Sequence, residues 1–367
     1  MIATAAPPAL VAPAPYEVSF GRIAGVAPAG ARHVIVRVGG RVLAARVIRG
    51  RSFDFEISLP RGEHTITVSS GSLTFVAQHV VGLPAAARPH AAQATLDPAL
   101  RSAIVPVARG FSGTSAVFVK DLVTGAGAAW NARARFPAAS TLKPAIAVEV
   151  LRVLHGKPAP GSWLDAELRR MLVESSNDSA NELEVWLAGS TPAGGARVNE
   201  LLRLLGLVDT DMYGGYLRDT QARRPIPGRI ERRPPFGRGK YTTALDLGRL
   251  LVDVHLASGG RGVLAVRCRG EFTPSDARYL LYLLSLVPDR GKLGRYLGAR
   301  PVVLAHKAGW ITSARHDAGL VYYPGGVFVA AVMTWSGGET DADVLAGRVA
   351  AAALARLSNQ ASTRRKK

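Results

Sequence analysis

The chain has 367 residues, of which 48% are hydrophobic and 20% are charged, a balance typical of a folded protein with room for two domains. Its net charge is +19, but the basic residues are mostly scattered and no basic motif is interleaved with aromatic residues, so nucleic acid is not an expected partner. No apolar run reaches the roughly 18 residues of a membrane span. The single cysteine, Cys268, excludes an internal disulfide.

Residues 1–15 are apolar and rich in proline, and they contain no lysine or arginine. A signal peptide begins with a basic segment, so this stretch matches one poorly. We expect it to form a tail, or the remnant of a signal sequence that starts upstream.

Residues 16–83 alternate between apolar and polar side chains over short runs such as "HVIVRV" and "HTITVSS". Turn signals such as "VGGR" and "PRGE" separate the runs, so the segment predicts a small β-sandwich. The run "LPRGEHTITV" resembles the closing hairpin of bacterial immunoglobulin-like modules. The segment holds no cluster of titratable residues, and we interpret it as a spacer or docking domain.

Residues 84–99 are rich in alanine and proline and lack periodicity, which predicts a linker. Beyond the linker, "SAVFVKDLVTGAGAAW" predicts a hairpin that turns at Thr124 and Gly125. Apolar periodicity then predicts helices at 140–154, 164–174, 178–188, 195–205, 242–257 and 274–287.

Three predicted strands, "PVVLAHKAGW", "RHDAGLVYYP" and "VFVAAVMTW", and a helix over 341–357 complete the pattern. Because strands at both ends of 100–358 flank a helical block, we predict an α/β (α+β) domain whose two ends contribute to one sheet. Residues 359–367 are expected to form a basic tail.

The stretch "FPAASTLKPAIAVEV" places Ser140 and Lys143 one helical turn apart on the same face. Pro144 is compatible with a first helical turn, where the helix dipole favours a developing anion. An apolar run follows, so the Lys143 side chain should be partly buried, and a desolvated lysine can accept a proton from a serine. The alternative is a capping serine beside a lysine that reaches solvent.

Two further motifs follow in chain order. In "VESSNDSANEL", Ser175 and Asn177 form S-x-N at the start of a predicted helix, although serine and asparagine are also common helix caps. In "HKAGW", Lys307 lies in a predicted strand where it can face an acidic substrate, and Gly309 allows a ligand to approach the backbone.

The motifs S-x-x-K, S-x-N and K-x-G in this order resemble those of the serine β-lactamases and penicillin-binding proteins, and the class A β-lactamase family most, across about residues 100–358. The resemblance implies a three-layer fold, in which helices cover both faces of a sheet and a helical subdomain is added. It also implies that Ser140 is the acylated nucleophile, that Lys143 is its base, and that Ser175 passes a proton to the leaving nitrogen.

The same resemblance makes Asn177 a ligand of the substrate amide. It makes Lys307 the group that attracts the substrate carboxylate and tunes Ser175. The oxyanion hole would be formed by the backbone N–H groups of Ser140 and Trp310.

The sequence departs from the family pattern in the loop that usually carries a glutamate for deacylation. The stretch "GLVDTDMYGGYLRD" has no glutamate, and Gly214, Gly215 and Tyr216 stand where one is expected. Four other carboxylates lie in this region without the expected context: Asp209, Asp211, Asp219 and the more distant Glu231. We therefore expect slow deacylation and a long-lived acyl-enzyme.

Other departures concern the substrate cleft. Ala308 replaces the usual hydroxyl residue of K-x-G, and Arg315 is the residue expected to substitute for it in part. Ser176 replaces an acidic residue, which we interpret as a structural change. The segment between Lys143 and Ser175 is shorter than the family usually carries, so we expect a wider cleft.

The resulting hypothesis is a bacterial serine acyl-transfer hydrolase that opens β-lactam amides through an acyl-enzyme, an activity associated with antibiotic resistance. The alternatives are a D-Ala-D-Ala carboxypeptidase or penicillin-binding protein that acts on peptidoglycan, and a cell-wall binding module without turnover. We expect an extracytoplasmic monomer, in the cell envelope or secreted, with anionic cell-wall polymers as further partners. No cofactor is expected, and no metal, since the histidines do not fall into ligand-like spacing.

Overall fold

The computed structural model describes residues 7–226, 236–298 and 301–365. It divides into two compact units at Arg88 and Pro89, a boundary that lies inside the predicted linker. Within the described ranges, none of the helices combines the length and the hydropathy needed to cross a membrane.

The first unit consists of two β-sheets around an apolar core. Its strands are β1 (Ala9–Ala12), β2 (Val18–Ser19), β3 (Arg22–Val26), β4 (His33–Val38), β5 (Arg41–Val47), β6 (Ser52–Glu56), β7 (Gly62–Ser70) and β8 (Leu73–Gly82). One sheet has the order β1-β3-β6 and the other the order β2-β8-β7-β4-β5. Alternation along β4 turns Val34 and Val36 into the core, where they meet Ile23 and Phe53 of the smaller sheet.

Part of the predicted N-terminal tail is structured. Residues 9–12 form β1, which pairs antiparallel with β3, so the first unit begins earlier than the predicted boundary at residue 16. The reason is that a backbone edge can pair with another strand whatever the side-chain pattern, and the apolar residues of β1 carry no alternation that marks a strand.

The second unit is built on a six-stranded sheet of order β14-β15-β16-β10-β11-β9. The remaining strands of the chain are β9 (Thr95–Leu96), β10 (Thr114–Asp121), β11 (Ala126–Trp130), β12 (Phe136–Pro137), β13 (Tyr241–Thr242), β14 (Val303–Ile311), β15 (Ala314–Tyr323) and β16 (Gly326–Trp335). The predicted hairpin is present as β10 and β11, and β10 pairs with β16 from the end of the chain. Both ends of the unit therefore supply one sheet, as the sequence predicted.

Helices cover both faces of this sheet. They are α1 (Pro98–Arg109), α2 (Lys143–Leu154), α3 (Trp163–Leu172), α4 (Asn177–Ala188), α5 (Thr191–Leu204), α6 (Ala244–Ala257), α7 (Gly262–Arg267), α8 (Pro274–Ser285) and α9 (Glu339–Arg365). Helices α1 and α9 pack together against the sheet and fill one core with residues such as Ile104 and Val349. Helices α6 and α8 contact other parts of the sheet, and α2 to α5 form a helical group beside them. The three-layer fold with a helical subdomain is confirmed.

Two segments differ from the prediction. Helix α1 begins within the predicted linker, where Asp97 caps it by accepting hydrogen bonds from the N–H groups of Ala99 and Leu100. The linker is therefore shorter than residues 84–99, and part of it also forms β9. At the other end, α9 continues to Arg365, so most of the predicted basic tail is helical.

Helix α2 positions the first motif. Its residues from Lys143 to Leu151 are all buried, because the helix runs through the interior of the second unit rather than along its surface. A short 3₁₀ helix, Ala139–Leu142, leads into α2 and lies against β14. The first and third motifs are thereby brought side by side.

Candidate active site

Ser140 lies in the 3₁₀ turn that precedes α2. Ala139, directly before it, has φ +49°, a left-handed conformation that is costly for a residue with a Cβ. The turn is tied down by its neighbours, since Ala138 donates its N–H to the carbonyl oxygen of Lys240 at 3.0 Å. Ser140 therefore does not cap α2, and the alternative of a capping serine is wrong. It is a half-buried residue on a constrained turn.

Lys143 is the first residue of α2 and is fully buried. Its ammonium donates to the carbonyl oxygen of Ser175 at 2.5 Å and to Asn177 Oδ1 at 2.9 Å. Burial, together with the nearby charges of Lys307 and Lys240, lowers the pKa of Lys143 to about 7. A buried amine that is partly neutral at pH 7 matches what the sequence analysis expects of a base.

Among the described residues, the hydrogen bonds that Lys143 makes run to the S-x-N motif, and Ser140 is not a partner. Catalytic hydrogen bonds are often long or misaligned before the substrate binds, so this arrangement is compatible with proton transfer between the two residues.

Ser175 lies between the two lysines. Lys307 Nζ donates to Ser175 Oγ at 2.9 Å, and Lys143 Nζ lies 3.5 Å from the same oxygen. Ser175 has φ +64°, so its backbone is also in the left-handed region. Ser176 caps α4 by accepting a hydrogen bond from the N–H group of Ser179, which gives it a structural role. The Ser175 hydroxyl can therefore accept a proton from Lys143 or Lys307 and donate its own.

The third motif lies on β14, at the edge of the sheet. Lys307 is buried, and this burial lowers its pKa to about 8, while Asp317 and Asp289 act in the opposite direction. A Cβ at Gly309 would lie 2.8 Å from the backbone nitrogen of Ser140, so only glycine lets the strand approach this closely. The side chain of the next residue, Trp310, is 65% exposed.

The loop without a glutamate presents Tyr216 to Lys143. Tyr216 donates its N–H to Asn181 Oδ1 at 2.6 Å, and Asn181 Nδ2 donates to the carbonyl oxygen of Tyr216 at 3.0 Å. Lys143 Nζ lies 4.8 Å from the centroid of the Tyr216 ring. An aromatic ring therefore borders the Lys143 amine at this point.

The four carboxylates named above do not replace the glutamate. Asp209 pairs with Arg135 at 2.8 Å, Asp211 accepts from Asn199 Nδ2 at 2.9 Å, and Asp219 accepts from Thr191. Glu231 lies outside the described residues.

The sequence did not predict two buried charged residues whose charges act on Lys143. Glu184 is fully buried on α4, and neither of its carboxylate oxygens has a hydrogen-bond partner among the described residues. Burial raises its pKa to about 8. Lys240 is 6% exposed, and burial lowers its pKa to about 8. Glu184 follows Asn177 by seven residues on one helix face, a spacing that could have indicated it. No local pattern marks Lys240.

The residue expected to replace the missing hydroxyl is already engaged. Arg315 forms an ion pair with Glu339 at the start of α9 and lies 5.8 Å from the Trp310 ring centroid. Within the described ranges, no group of three or more histidine, cysteine and acidic side chains is arranged to hold a metal ion.

Comparisons with known proteins agree with this architecture. A family model described as "Beta-lactamase enzyme family" matches residues 99–158 and 163–357. A structure of PBP-A is 19% identical, with a TM-score of 0.58, over 74% of this chain and 100% of that chain. A PBP-A mutant solved as its acyl-enzyme complex with penicillin G is 20% identical, with a TM-score of 0.57, over 73% and 99%. An ancestral class A β-lactamase is 18% identical, with a TM-score of 0.55, over 70% and 99%. The curated proteins give no match.

Proposed function

Because the chain belongs to the β-lactamase enzyme family, we propose that its second unit is a serine acyl-transfer hydrolase that opens β-lactam amides through an acyl-enzyme on Ser140. The observation that carries this proposal is the state of Lys143. The residue is fully buried one helical turn from Ser140, and its pKa is lowered to about 7. A lysine needed only for structure would gain nothing from being held partly neutral.

In acylation, the neutral Lys143 amine takes the proton of Ser140 as Ser140 Oγ attacks the lactam carbonyl carbon. Negative charge then develops on the carbonyl oxygen, and in this proposal the backbone N–H groups of Ser140 and Trp310 donate to it. Each such donor contributes about 10²–10³ in rate. The amide C–N bond breaks as Ser175 gives its proton to the leaving nitrogen, and Ser175 is reprotonated by Lys143 or Lys307, which both approach its hydroxyl.

Substrate binding uses the remaining polar groups. Lys143 donates a hydrogen bond to Asn177 Oδ1. The Asn177 Nδ2 group therefore remains to donate to the acyl amide of the substrate. Lys307 attracts the substrate carboxylate. Because Ala308 has no hydroxyl and Arg315 is paired with Glu339, carboxylate recognition rests mainly on Lys307. We therefore expect weaker binding of the carboxylate than a site with an added hydroxyl would give.

Deacylation is the slow step in this proposal. A water molecule must be held against the acyl carbon by a base, and Tyr216 borders the amine where a carboxylate is expected. Burial holds the pKa of Tyr216 well above its usual range, so its phenol does not act as a base. Lys143 must take the proton of the water, and the acyl-enzyme with a penicillin is expected to persist for minutes.

The second candidate function is D-Ala-D-Ala carboxypeptidase or penicillin-binding activity on peptidoglycan, and the ring of Tyr216 is the observation that favours it. The same acylation machinery serves a peptide substrate, and a PBP-A mutant of similar fold was solved as its acyl-enzyme complex with penicillin G. A binding module without turnover would keep the cleft but gain nothing from the strained Ser140 turn. We propose the first unit as a spacer or docking domain, in a monomeric, extracytoplasmic protein with anionic cell-wall polymers as further partners.

Turnover of two substrates tests the proposal. Hydrolysis of a chromogenic cephalosporin and release of D-alanine from a diacetyl-Lys-D-Ala-D-Ala peptide are measured on the same preparation. Loss of both activities in Ser140→Ala, with both retained in Ser162→Ala, a helix-capping serine elsewhere, supports the proposal. Faster peptide turnover would favour the peptidase. Activity that survives in Ser140→Ala would overturn the assignment of the nucleophile.

A further inference from the structure

We propose that Lys240 is a positioning residue for the catalytic amine, which keeps Lys143 in its neutral, proton-accepting form. The inference rests on the proposed function of Lys143. Its geometric basis is that the two lysines share one aromatic ring. Lys240 Nζ lies 4.0 Å from the centroid of the Tyr216 ring, and Lys143 Nζ lies 4.8 Å from the same point.

The Lys240 ammonium is fixed rather than free to move away. It donates to the carbonyl oxygen of Gly215 at 2.6 Å, and its Nζ also lies 4.2 Å from the Tyr213 ring centroid. The side chain is 6% exposed, so water screens its charge little. A buried positive charge at a fixed place near Lys143 disfavours a second positive charge there.

The backbone of Lys240 contacts the same site. Its carbonyl oxygen accepts the N–H group of Ala138, two residues before Ser140. The residue thus holds the nucleophile turn through its main chain while its side chain holds the loop that carries Tyr216. One residue links the three parts of the site that must stay in register: the serine, the amine and the aromatic ring.

The other charged groups that face Lys143 come from two further elements. Lys307 on β14 acts in the same direction as Lys240, whereas Glu184 on α4 favours the charged form of Lys143. The charge of Glu184 raises the pKa of both Lys143 and Lys240, so removing Glu184 would change both amines at once and would not isolate one effect. A substitution of Lys240 is therefore the cleaner perturbation.

This arrangement explains how the site can operate without a glutamate in the loop. With no carboxylate beside the acyl carbon, the same amine must accept a proton from Ser140 and later from water. Both steps require a neutral Lys143 at working pH. Lys240, on the same Tyr216 ring as Lys143, supplies that condition, whereas a negative charge near Lys143 would stabilise the ammonium form.

The test measures the protonation of Lys143 directly, in protein labelled with ¹³C at the lysine ε-carbons. The Lys143 signal is identified by its loss in Lys143→Met, and its titration is followed in the full chain. In Lys240→Met the midpoint should rise by about one pH unit, the shift expected for removing one nearby buried charge. Lys240→Arg, which keeps the charge, and Lys120→Met, which removes a half-buried lysine on β10, should leave the midpoint in place.

The rate of acylation by a fluorescent penicillin, measured against pH, should show the same displacement of its acid limb in Lys240→Met. An unmoved Lys143 midpoint in a folded Lys240→Met protein, or an equal shift in Lys240→Arg, would overturn the inference. If Lys240→Met does not fold, the unaltered protein decides, since its Lys143 signal must show a second step as Lys240 titrates. A single step would refute the coupling. A protein that never acylates refutes the proposed function, yet its titration can still be read.

Discussion

Replacing Lys143 by arginine removes the proposed base while keeping a positive charge in its place. With a pKa of about 7, roughly half of the Lys143 side chains are neutral at pH 7. An arginine would be neutral in fewer than about one molecule in a hundred thousand at pH 7, because its pKa exceeds about 12. General base catalysis contributes about 10²–10⁴ in rate, so this contribution sets the expected loss. The rate of acylation should fall by about 10²–10⁴, which corresponds to about 3–5 kcal/mol in the activation free energy.

The assay is the second-order rate constant for acylation by a fluorescent penicillin, followed by gel fluorescence or stopped flow. In the unaltered protein this rate should rise as pH rises through about 7, since the neutral amine is the reactive form. Lys120→Arg serves as the control, because Lys120 lies on β10 and is also partly buried. Acylation of Lys143→Arg within a factor of about three of the unaltered rate would refute Lys143 as the base.

Three further predictions concern Gly309, Asp253 and the first unit. Gly309→Ala should slow acylation by at least about tenfold in the same assay, because the added Cβ would lie 2.8 Å from the Ser140 nitrogen, and an unchanged rate would contradict this packing. Burial raises the pKa of Asp253 to about 7, so the native carboxyl binds a proton more strongly than the unfolded one, and its contribution to stability is lost as pH rises to about 7. Asp253→Asn should therefore increase the free energy of unfolding by urea by about 1–3 kcal/mol at pH 8 and change it little at pH 4; equal effects at both pH values would argue against the shift. A chain of residues 90–367 should acylate at the rate of the full chain, whereas an unfolded product would show that the two units depend on one another.

Local spacing predicted the parts of the site that lie close together along the chain. Ser140 and Lys143 are one helical turn apart, and S-x-N begins a capped helix, so their placement follows from short-range geometry. The hairpin of β10 and β11 was predictable for the same reason, since its apolar runs are separated by a turn. The central β16, by contrast, joins β10 from more than 200 residues away. The order of predicted elements indicated only that both ends of the unit contribute to one sheet, and no local spacing marks the pairing of these two strands.

The unpredicted parts of the site depend on long-range packing. Lys240 ends a basic, glycine-containing stretch that by itself resembles a solvated loop, and it becomes a buried group only because Gly215 and two tyrosine rings surround it. Helix α1 was missed because alanine and proline dominate its start, and its formation relies on the Asp97 cap and on burial against α9. The sequence thus indicated candidate active residues, while tertiary contacts determine the burial and the neighbouring charges that shift the pKa of Lys143.

The most direct test of the account is intact-protein mass spectrometry, over milliseconds to minutes, after mixing with benzylpenicillin. The account predicts one adduct with the mass of the intact penicillin, mapped by peptide digestion to Ser140, that persists for minutes. Lys307→Ala should form the adduct more slowly, because Ser175 Oγ would lose its 2.9 Å donor. The absence of any adduct, or an adduct on a residue other than Ser140, would contradict the proposed acyl-enzyme. An adduct that clears within a second while product accumulates would show that the protein has a working deacylation base. That result would contradict the expected long-lived acyl-enzyme.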